Sequence, residues 1–173
     1  MKKVLVVVDM QNDFLTGVLG SREAASIIPR VGDLINSFKG EIIFTRDTHG
    51  EDYLNTREGR YLPVMHCIRG SSGWQIADGL ETLGHMIIDK PTFGSVHLAK
   101  YLAERHEREG VESVTLVGVC TDICVISNAM LIKAHLPEVD VIVDASCCAG
   151  VSRESHENAL AAMRACQINI INA

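Results

Sequence analysis

Short apolar runs alternate along this chain with longer stretches in which apolar residues recur every three or four positions. The first run, Lys3-Val-Leu-Val-Val-Val8, is apolar on both faces of an extended backbone, which is typical of a central strand covered from two sides. The spacing of Ile27, Val31 and Leu34 instead fits one face of a helix. We predict strands at 3–8, 41–45, 85–89, 113–118, 139–144 and 168–171, and helices at 23–38, 95–108, 121–134 and 152–166. Pro29 lies inside the first of these helices and is an alternative position for its first turn.

The strict alternation of strand and helix predicts a single α/β domain over residues 1–173. Parallel strands joined by right-handed crossovers place helices on both faces of the sheet, which gives a three-layer, doubly wound architecture. The sequence contains no repeats, low-complexity tracts or linkers. Ligands of such folds lie at the carboxyl ends of the strands, near the point where the strand order reverses. We therefore expect the functional residues at strand ends.

Four residues with useful chemistry fall at the carboxyl ends of predicted strands. Asp9, Asp47 and Lys90 come at the ends of strands one to three, and Cys124 falls in the first turn of the helix after strand four, with Thr121 or Asp122 as its N-cap. Unpaired backbone N–H groups and the helix dipole favour a thiolate there, although a free cysteine is as often a small buried hydrophobe. A buried Asp9 could take the thiol proton, and the Lys90 ammonium would make two neighbouring anions tolerable.

The amino-acid composition argues against several classes of binding partner and cellular location. The 173 residues are 47% hydrophobic and 22% charged, which is ordinary for a soluble folded protein. There are 16 basic and 22 acidic residues, a net charge of −6, without basic runs, which argues against nucleic-acid and anionic-membrane partners. The apolar runs are too short for a membrane span or a signal peptide, so we expect a cytoplasmic protein.

The six cysteines lack the density and regular spacing of a secreted disulfide scaffold. Reduced thiols are therefore expected throughout. Cys147, Cys148 and Cys166 are expected to be packing residues, which leaves the region of Cys124 as the candidate for thiol chemistry.

Three sequence motifs stand in a fixed order across most of the chain. They are Val8-Asp9-Met-Gln-Asn-Asp-Phe14, Lys90-Pro-Thr-Phe93 and Gly118-Val-Cys-Thr-Asp-Ile-Cys-Val125. Together they resemble the isochorismatase-like cysteine hydrolases, a family that includes nicotinamidases. The resemblance implies a six-stranded Rossmann-like sheet of order 3-2-1-4-5-6. It also implies Cys124 as the nucleophile, Asp9 as general base and then acid, and Lys90 as the electrostatic third member.

The resemblance has a further implication for the backbone around the nucleophile. It implies a cis peptide bond between Val119 and Cys120. The N–H groups of Cys120 and Cys124 would then point at the oxyanion of a tetrahedral intermediate and form the oxyanion hole.

A long polar segment at residues 50–72 exceeds an ordinary connection in length, and we expect it to be functional. Candidate metal ligands at the preceding strand end and within this segment are Asp47, His49, Glu58 and His66, with Asp52 as an alternative to Glu58. The family resemblance implies that they bind one divalent ion, zinc in the first place and iron or manganese as alternatives, which holds the pyridine nitrogen of the substrate. Mixed nitrogen and oxygen ligands suit such a substrate-binding ion.

Aromatic residues near the catalytic motifs provide candidate walls for a substrate pocket. The resemblance implies that Phe14 and Phe93 sandwich a flat aromatic ring beside the thiol, and core packing is the alternative for each. Tyr61, Leu62 and Trp74 are candidates for a further wall. The implied activity is metal-dependent hydrolysis of nicotinamide to nicotinate and ammonia through a thioester.

Other functions compete with this one. The nearest is another hydrolase of the family, acting on a carbamoyl, ureido or vinyl-ether substrate. A partner-binding or thiol-sensing domain would use Cys120 with Cys124, or Cys147 with Cys148. A dinucleotide-binding oxidoreductase is excluded because no Gly-x-Gly-x-x-Gly turn follows strand one. The segment between His66 and strand three is lean, so we expect a homo-oligomer in which a second copy supplies part of the pocket wall.

Overall fold

A computed structural model describes residues 2–173, and its six strands form one parallel sheet. The strands are β1 (Lys2–Val8), β2 (Glu41–Asp47), β3 (Met86–Lys90), β4 (Val111–Val119), β5 (Asp140–Ala149) and β6 (Asn169–Ile171). Their order is β3-β2-β1-β4-β5-β6, and each neighbouring pair is parallel. The predicted α/β architecture and strand order are confirmed.

Helices cover both faces of this sheet. They are α1 (Asn12–Leu15), α2 (Arg22–Ser26), α3 (Ile28–Ser37), α4 (Arg57–Tyr61), α5 (Val96–Glu109), α6 (Ile126–His135) and α7 (Arg153–Ala165). Apolar residues of α1 to α3 pack with Leu5 and Val7 on one face, and those of α5 to α7 pack with Val4 and Val6 on the other. The continuous apolar run of β1 is therefore buried from two sides, as its sequence predicted.

The helix predicted at 23–38 is two helices. α2 ends at Ser26, and α3 begins after Ile27, with Pro29 in its first turn. Proline is tolerated there because the first N–H groups of a helix have no intrahelical acceptor. The apolar periodicity continues across the break, so Pro29 was its signal in the sequence, and the alternative first turn at Pro29 is confirmed.

The segment after β4 also differs from the prediction. It begins with a π-helical turn, Thr121–Val125, that contains Cys124 and precedes α6. The predicted N-caps do not cap it. Thr121 Oγ1 lies 2.8 Å from His156 Nδ1, and Asp122 Oδ1 accepts a hydrogen bond from the Val151 N–H at 3.0 Å.

The long segment after β2 is ordered around two short helical pieces. A 3-10 turn spans Tyr53–Asn55, and α4 follows with Thr56 as its N-cap, whose hydroxyl accepts from the Gly59 N–H at 3.0 Å. This places Glu58 in the first turn of α4 and turns the segment back toward the end of β2.

The strand order reverses between β1 and β4, and the two strands approach closely at their carboxyl ends. Gly118 has a φ of 115°, and a Cβ at this position would lie 2.1 Å from the Val8 carbonyl oxygen. Only glycine permits this combination of backbone conformation and contact. The two strand ends are therefore in backbone contact at the reversal, immediately before Asp9.

The six cysteines are free thiols, as expected. Cys147 and Cys148 are buried, but Cys166 is exposed, so its predicted packing role is wrong. It follows the last turn of α7 and faces solvent because the buried side of that helix ends at Met163. None of the helices within residues 2–173 is long and apolar enough to cross a membrane.

Candidate active site

Asp9 is the first residue after β1, and its side chain is completely buried. Its φ of 48° is left-handed, a conformation that aspartate adopts more readily than most side chains. Thr45 of β2 donates its hydroxyl to Asp9 Oδ1 at 2.7 Å. Burial raises the pKa of Asp9 above its ordinary value, against the opposing effect of the Lys90 charge. A carboxyl group in this environment is suited to taking and returning a proton.

Lys90, the last residue of β3, extends its ammonium group into the same buried space. Its Nζ lies 2.7 Å from Asp9 Oδ2, 3.5 Å from Asp47 Oδ1 and 3.5 Å from Cys124 Sγ, and it donates to the Thr92 carbonyl at 3.1 Å. Burial alone would lower the pKa of Lys90, but the neighbouring acids raise it above its ordinary value. Lys90 is therefore a fixed positive charge among three acidic groups.

Cys124 is buried in the π-helical turn, with only 5% of its surface exposed. Burial raises the pKa of its thiol well above the ordinary value, and the Asp9 charge adds to that effect while Lys90 opposes it. Burial therefore opposes the preference for a thiolate that the helix terminus predicts. A neighbour that takes the proton as the sulfur reacts would offset that effect.

The peptide bond between Val119 and Cys120 is cis, as the family resemblance implied. The Cys120 carbonyl accepts hydrogen bonds from the N–H groups of Ile123 and Val125, at 3.1 and 3.0 Å. These bonds turn the chain tightly between Cys120 and Cys124. Both cysteines line the same cavity.

The four predicted metal ligands converge beside the end of β2. One ligand atom from each of Asp47, His49, Glu58 and His66 lies within 4.8 Å of all the others. Asp47 Oδ2 is 2.9 Å from His49 Nε2 and 3.5 Å from His66 Nε2. Glu58 Oε1 is 3.6 and 3.8 Å from the same two nitrogens. Asp52, the alternative to Glu58, is exposed and lies outside this group.

The chemistry of this cluster fits a divalent cation. Asp47 Oδ2 faces both imidazole nitrogens, whereas Asp47 Oδ1 is buried without a hydrogen-bond partner within residues 2–173 and lies 3.5 Å from Lys90 Nζ. Two carboxylates and two imidazoles are a donor set that divalent metal ions accept. Burial alone would raise the pKa of Asp47, but hydrogen bonds from His49 and His66 and the charge of Lys90 hold it well below its ordinary value. His66 Nδ1 lies 2.8 Å from the Val64 carbonyl, which makes Nδ1 the donor and leaves Nε2 available as a ligand.

Gln11 and Tyr53 support the cluster, and the sequence did not single them out. The Gln11 side chain is fully buried, donates to the Asp47 carbonyl at 2.8 Å and accepts from the Asp47 N–H at 2.7 Å. The Tyr53 ring lies 4.6 Å from the His49 ring and 4.9 Å from the His66 ring. Gln11 lies inside the first motif, which was its available signal. Tyr53 had none, because a lone aromatic residue in a polar segment is not distinctive.

One cavity of about 510 Å³ joins the thiol to the metal cluster. Cys120 and Cys124 line one part of it, and Asp47, Glu58 and His66 line another. Most of the remaining wall is apolar and includes Phe14, Leu19, Tyr61, Leu62, Phe93 and Val151. A flat apolar ring with polar groups at two points on its edge would match this lining.

Four of the five side chains predicted as walls of the substrate pocket line the cavity. Phe14 is half-buried, Phe93 is 44% exposed, and both line the cavity, as do Tyr61 and Leu62. Trp74 does not line it. Its Nε1 donates to Thr48 Oγ1 at 2.8 Å, and its ring lies 3.6 Å beneath the Arg46 guanidinium.

Comparison with known proteins agrees with this geometry. Residues 3–173 match the Isochorismatase domain family. A nicotinamidase of Schizosaccharomyces pombe is 26% identical over 97% of this chain and 92% of that protein, and one of Acinetobacter baylyi is 30% identical over 82% and 79%. A pyrazinamidase of Pyrococcus horikoshii, solved in complex with zinc, is 31% identical over 100% of both chains, with a TM-score of 0.85. The chain therefore belongs to the isochorismatase family.

Proposed function

We propose that this chain hydrolyses nicotinamide to nicotinate and ammonia by a Cys-Asp-Lys mechanism. One observation carries the proposal: a single cavity is lined by the Cys124 thiol and by Asp47, Glu58 and His66 of the metal cluster. Nicotinamide carries a carboxamide and a basic nitrogen at two points of one flat ring, so the nucleophile and the cluster can each face one of them. The related nicotinamidases and pyrazinamidase are named for this class of compound.

The first step forms a bond between sulfur and carbon. Asp9 accepts the thiol proton of Cys124, and Sγ attacks the carboxamide carbon. The proton moves from Cys124 to Asp9, so the total charge of these two side chains stays at −1. The positive charge of Lys90 Nζ balances it, since Nζ lies 2.7 Å from Asp9 Oδ2 and 3.5 Å from Cys124 Sγ. The N–H groups of Cys120 and Cys124 donate to the carbonyl oxygen as it gains negative charge.

The second step breaks the amide bond. Asp9 gives its proton to the amide nitrogen, ammonia leaves, and the nicotinoyl group remains as a thioester on Cys124. Water then attacks the thioester carbon with Asp9 as base, which releases nicotinate and regenerates the thiol. Amide nitrogen is a poor leaving group, and the raised pKa of Asp9 suits a residue that must hold this proton and then deliver it.

Asp47, His49, Glu58 and His66 would hold one divalent ion, zinc in the first place. When bound, the ion supplies a Lewis-acidic partner for the ring nitrogen. The neighbouring side chains orient the ring: Phe14 lies 5.5 Å from the His66 ring, and Phe93 lines the cavity from the loop after β3. A ring held between two aromatic faces presents its carboxamide to the thiol in a restricted set of orientations.

We also propose that the chain forms a homo-oligomer. Tyr61, Phe93 and Val151 line the cavity and are 79%, 44% and 66% exposed. Apolar side chains around the mouth of a pocket favour a covering surface, and a second copy is the partner we propose. Light scattering at micromolar concentration should give a mass above that of the monomer, and a single monomeric species would contradict the proposal.

The test is ammonia release from nicotinamide, measured before and after chelation and after zinc is added back. We expect release that is lost on chelation, restored by zinc and abolished by Cys124→Ala. Cys166→Ala is the matched control, because this cysteine is exposed and away from the cavity.

Two outcomes would contradict the proposal. Ammonia release that survives Cys124→Ala would remove the thioester mechanism. Activity confined to carbamoyl or ureido compounds and indifferent to the chelator would retain a cysteine hydrolase but remove nicotinamide as its substrate.

A further inference from the structure

Asn128 is a fully buried amide one helical turn beyond the nucleophile. It lies in α6, four residues after Cys124, and its neighbours on the buried side of that helix, Ala129 and Ile132, are apolar. A buried amide is costly unless its donors and acceptor are bonded. The partners of Asn128 therefore indicate why a polar side chain stands at this position.

The Asn128 amide bonds to two segments that are distant in sequence. Its Nδ2 donates to the Cys124 carbonyl at 2.8 Å and to the Phe93 carbonyl at 3.2 Å. Its Oδ1 accepts from the Ser95 N–H at 2.9 Å. These three hydrogen bonds join the turn that carries Cys124 to the loop that follows β3.

That loop packs directly on α6. A Cβ at Gly94 would lie 2.7 Å from Leu131 Cδ1 and 3.1 Å from the Ser127 carbonyl oxygen. Ser95 in turn caps α5, since its hydroxyl accepts from the Leu98 N–H at 3.1 Å. The loop is held between the two helices, and the Asn128 amide is its polar attachment to α6.

The same loop fixes two residues of the candidate active site. The Thr92 carbonyl accepts from Lys90 Nζ at 3.1 Å, and the Thr92 hydroxyl donates to the Gly94 carbonyl at 2.8 Å. Phe93, whose carbonyl bonds to Asn128, contributes to the cavity wall. A shift of this loop relative to α6 would therefore change the positions of the Lys90 ammonium and the Phe93 ring relative to Cys124.

We propose that Asn128 is a positioning residue that fixes Lys90 and Phe93 relative to the Cys124 thiol. Its importance for catalysis rests on the hydrolase function proposed above, whereas its effect on the thiol does not require that function. Removal of the amide should weaken the influence of Lys90 on Cys124 and make the thiolate less accessible.

The experiment measures alkylation of Cys124 by iodoacetamide, followed by mass spectrometry of the peptide that contains it. The variants are Asn128→Leu, which is similar in size and lacks all three hydrogen bonds, Lys90→Met, and the two combined. Only the thiolate reacts, so the rate reports the stabilisation of that anion. Nicotinamide takes no part, so the assay can fail or succeed independently of the substrate proposed above.

We expect Asn128→Leu to slow alkylation by about tenfold, which corresponds to about one unit in the pKa of the thiol. In the Lys90→Met background the same substitution should slow it by less than about twofold, because the group through which Asn128 acts is already gone. Equal fold-losses in both backgrounds, or an unchanged rate for Asn128→Leu, would overturn the proposal.

Two further variants separate positioning from general loss of stability. Ile132→Val lies on the same buried face of α6, and it should lower the melting temperature while leaving the alkylation rate unchanged; a tenfold slower rate would overturn the proposal. Asn128→Thr keeps a hydroxyl that can bond to the Cys124 carbonyl but is too short for the loop. It should slow alkylation several-fold and serves as the test if Asn128→Leu does not fold; a wild-type rate would overturn the proposal.

Discussion

Lys90 Nζ lies 2.7 Å from Asp9 Oδ2, and each side chain has 1% or less of its surface exposed. Two opposite charges are thus held together away from water. Neither is tolerable alone, since an unpaired buried charge is strongly unfavourable. This contact therefore contributes to folding as well as to the proposed chemistry.

Replacing Lys90 by methionine should lower the free energy of unfolding by about 3–5 kcal/mol at pH 8, because Asp9 is left buried without its counter-charge. Urea unfolding of the metal-free protein measures this. The double variant Asp9→Asn/Lys90→Met should be more stable than Lys90→Met, since it leaves no uncompensated charge. A double variant less stable than both single variants would contradict this account of the pair.

Thr45→Val should shift the acid limb of the pH profile. The Thr45 hydroxyl donates to Asp9 Oδ1 and so stabilises the ionised form that must accept the thiol proton. Its loss raises the pKa of Asp9 further, and the limb of kcat/KM for nicotinamide should move to higher pH by about one unit. The profile is measured with zinc saturating at each pH.

Thr115→Val is the matched control for that shift. Thr115 lies on β4 opposite Leu5 and is not among the partners of Asp9. The acid limb of the pH profile of Thr115→Val should coincide with that of the wild type. An equal shift in both variants would show that the hydroxyl of Thr45 does not act on Asp9.

Glu58→Gln should weaken zinc binding by more than about tenfold, because it replaces a charged side chain of the proposed metal site by a neutral amide. Asp52→Asn removes a charge six residues away in sequence that lies outside the cluster, and it should bind zinc as the wild type does. Isothermal titration of the metal-free proteins compares the two. Weaker binding by Asp52→Asn alone would assign the third ligand to Asp52.

Gly118→Ala should destabilise the protein and abolish activity, since the new Cβ would displace the Val8 carbonyl next to Asp9. Gly70→Ala is the control, because Gly70 has a φ of 84° but nothing within 4 Å of an added Cβ. It should show only the cost of the backbone conformation, about 1–2 kcal/mol, with activity retained. Melting temperature and kcat are measured for both, and equal losses would mean that the close approach to Val8 has no effect.

Much of the fold was predictable because buried parallel strands leave long apolar runs and the residues after them stand out. Asp9, Asp47 and Lys90 were found in this way, and the sheet brings all three together. The π-helical turn around Cys124 was not predictable, since it preserves the apolar periodicity on which helix prediction depends. The break at Ile27 was indicated by Pro29 alone.

The sequence also did not reveal hydrogen bonds between residues that are distant along the chain. Thr45 lies within an apolar strand and Asn128 within an apolar helical face, and a single polar residue in either setting has many explanations. Their roles depend on neighbours 33 to 36 residues away. For Cys124 the sequence indicates the helix terminus that favours a thiolate, but not the extent of burial that opposes it.

The cavity is assembled from parts of the chain that can change separately. Asp9, Lys90 and Cys124 stand at the ends of three different strands, whereas His49, Glu58 and His66 all belong to the connection between β2 and β3. Under the proposed mechanism, variation confined to that connection would alter which compounds are held while Asp9, Lys90 and Cys124 keep their positions. Asp47, 3.5 Å from Lys90 Nζ, is where the two parts meet, so a change at this one residue would disturb both.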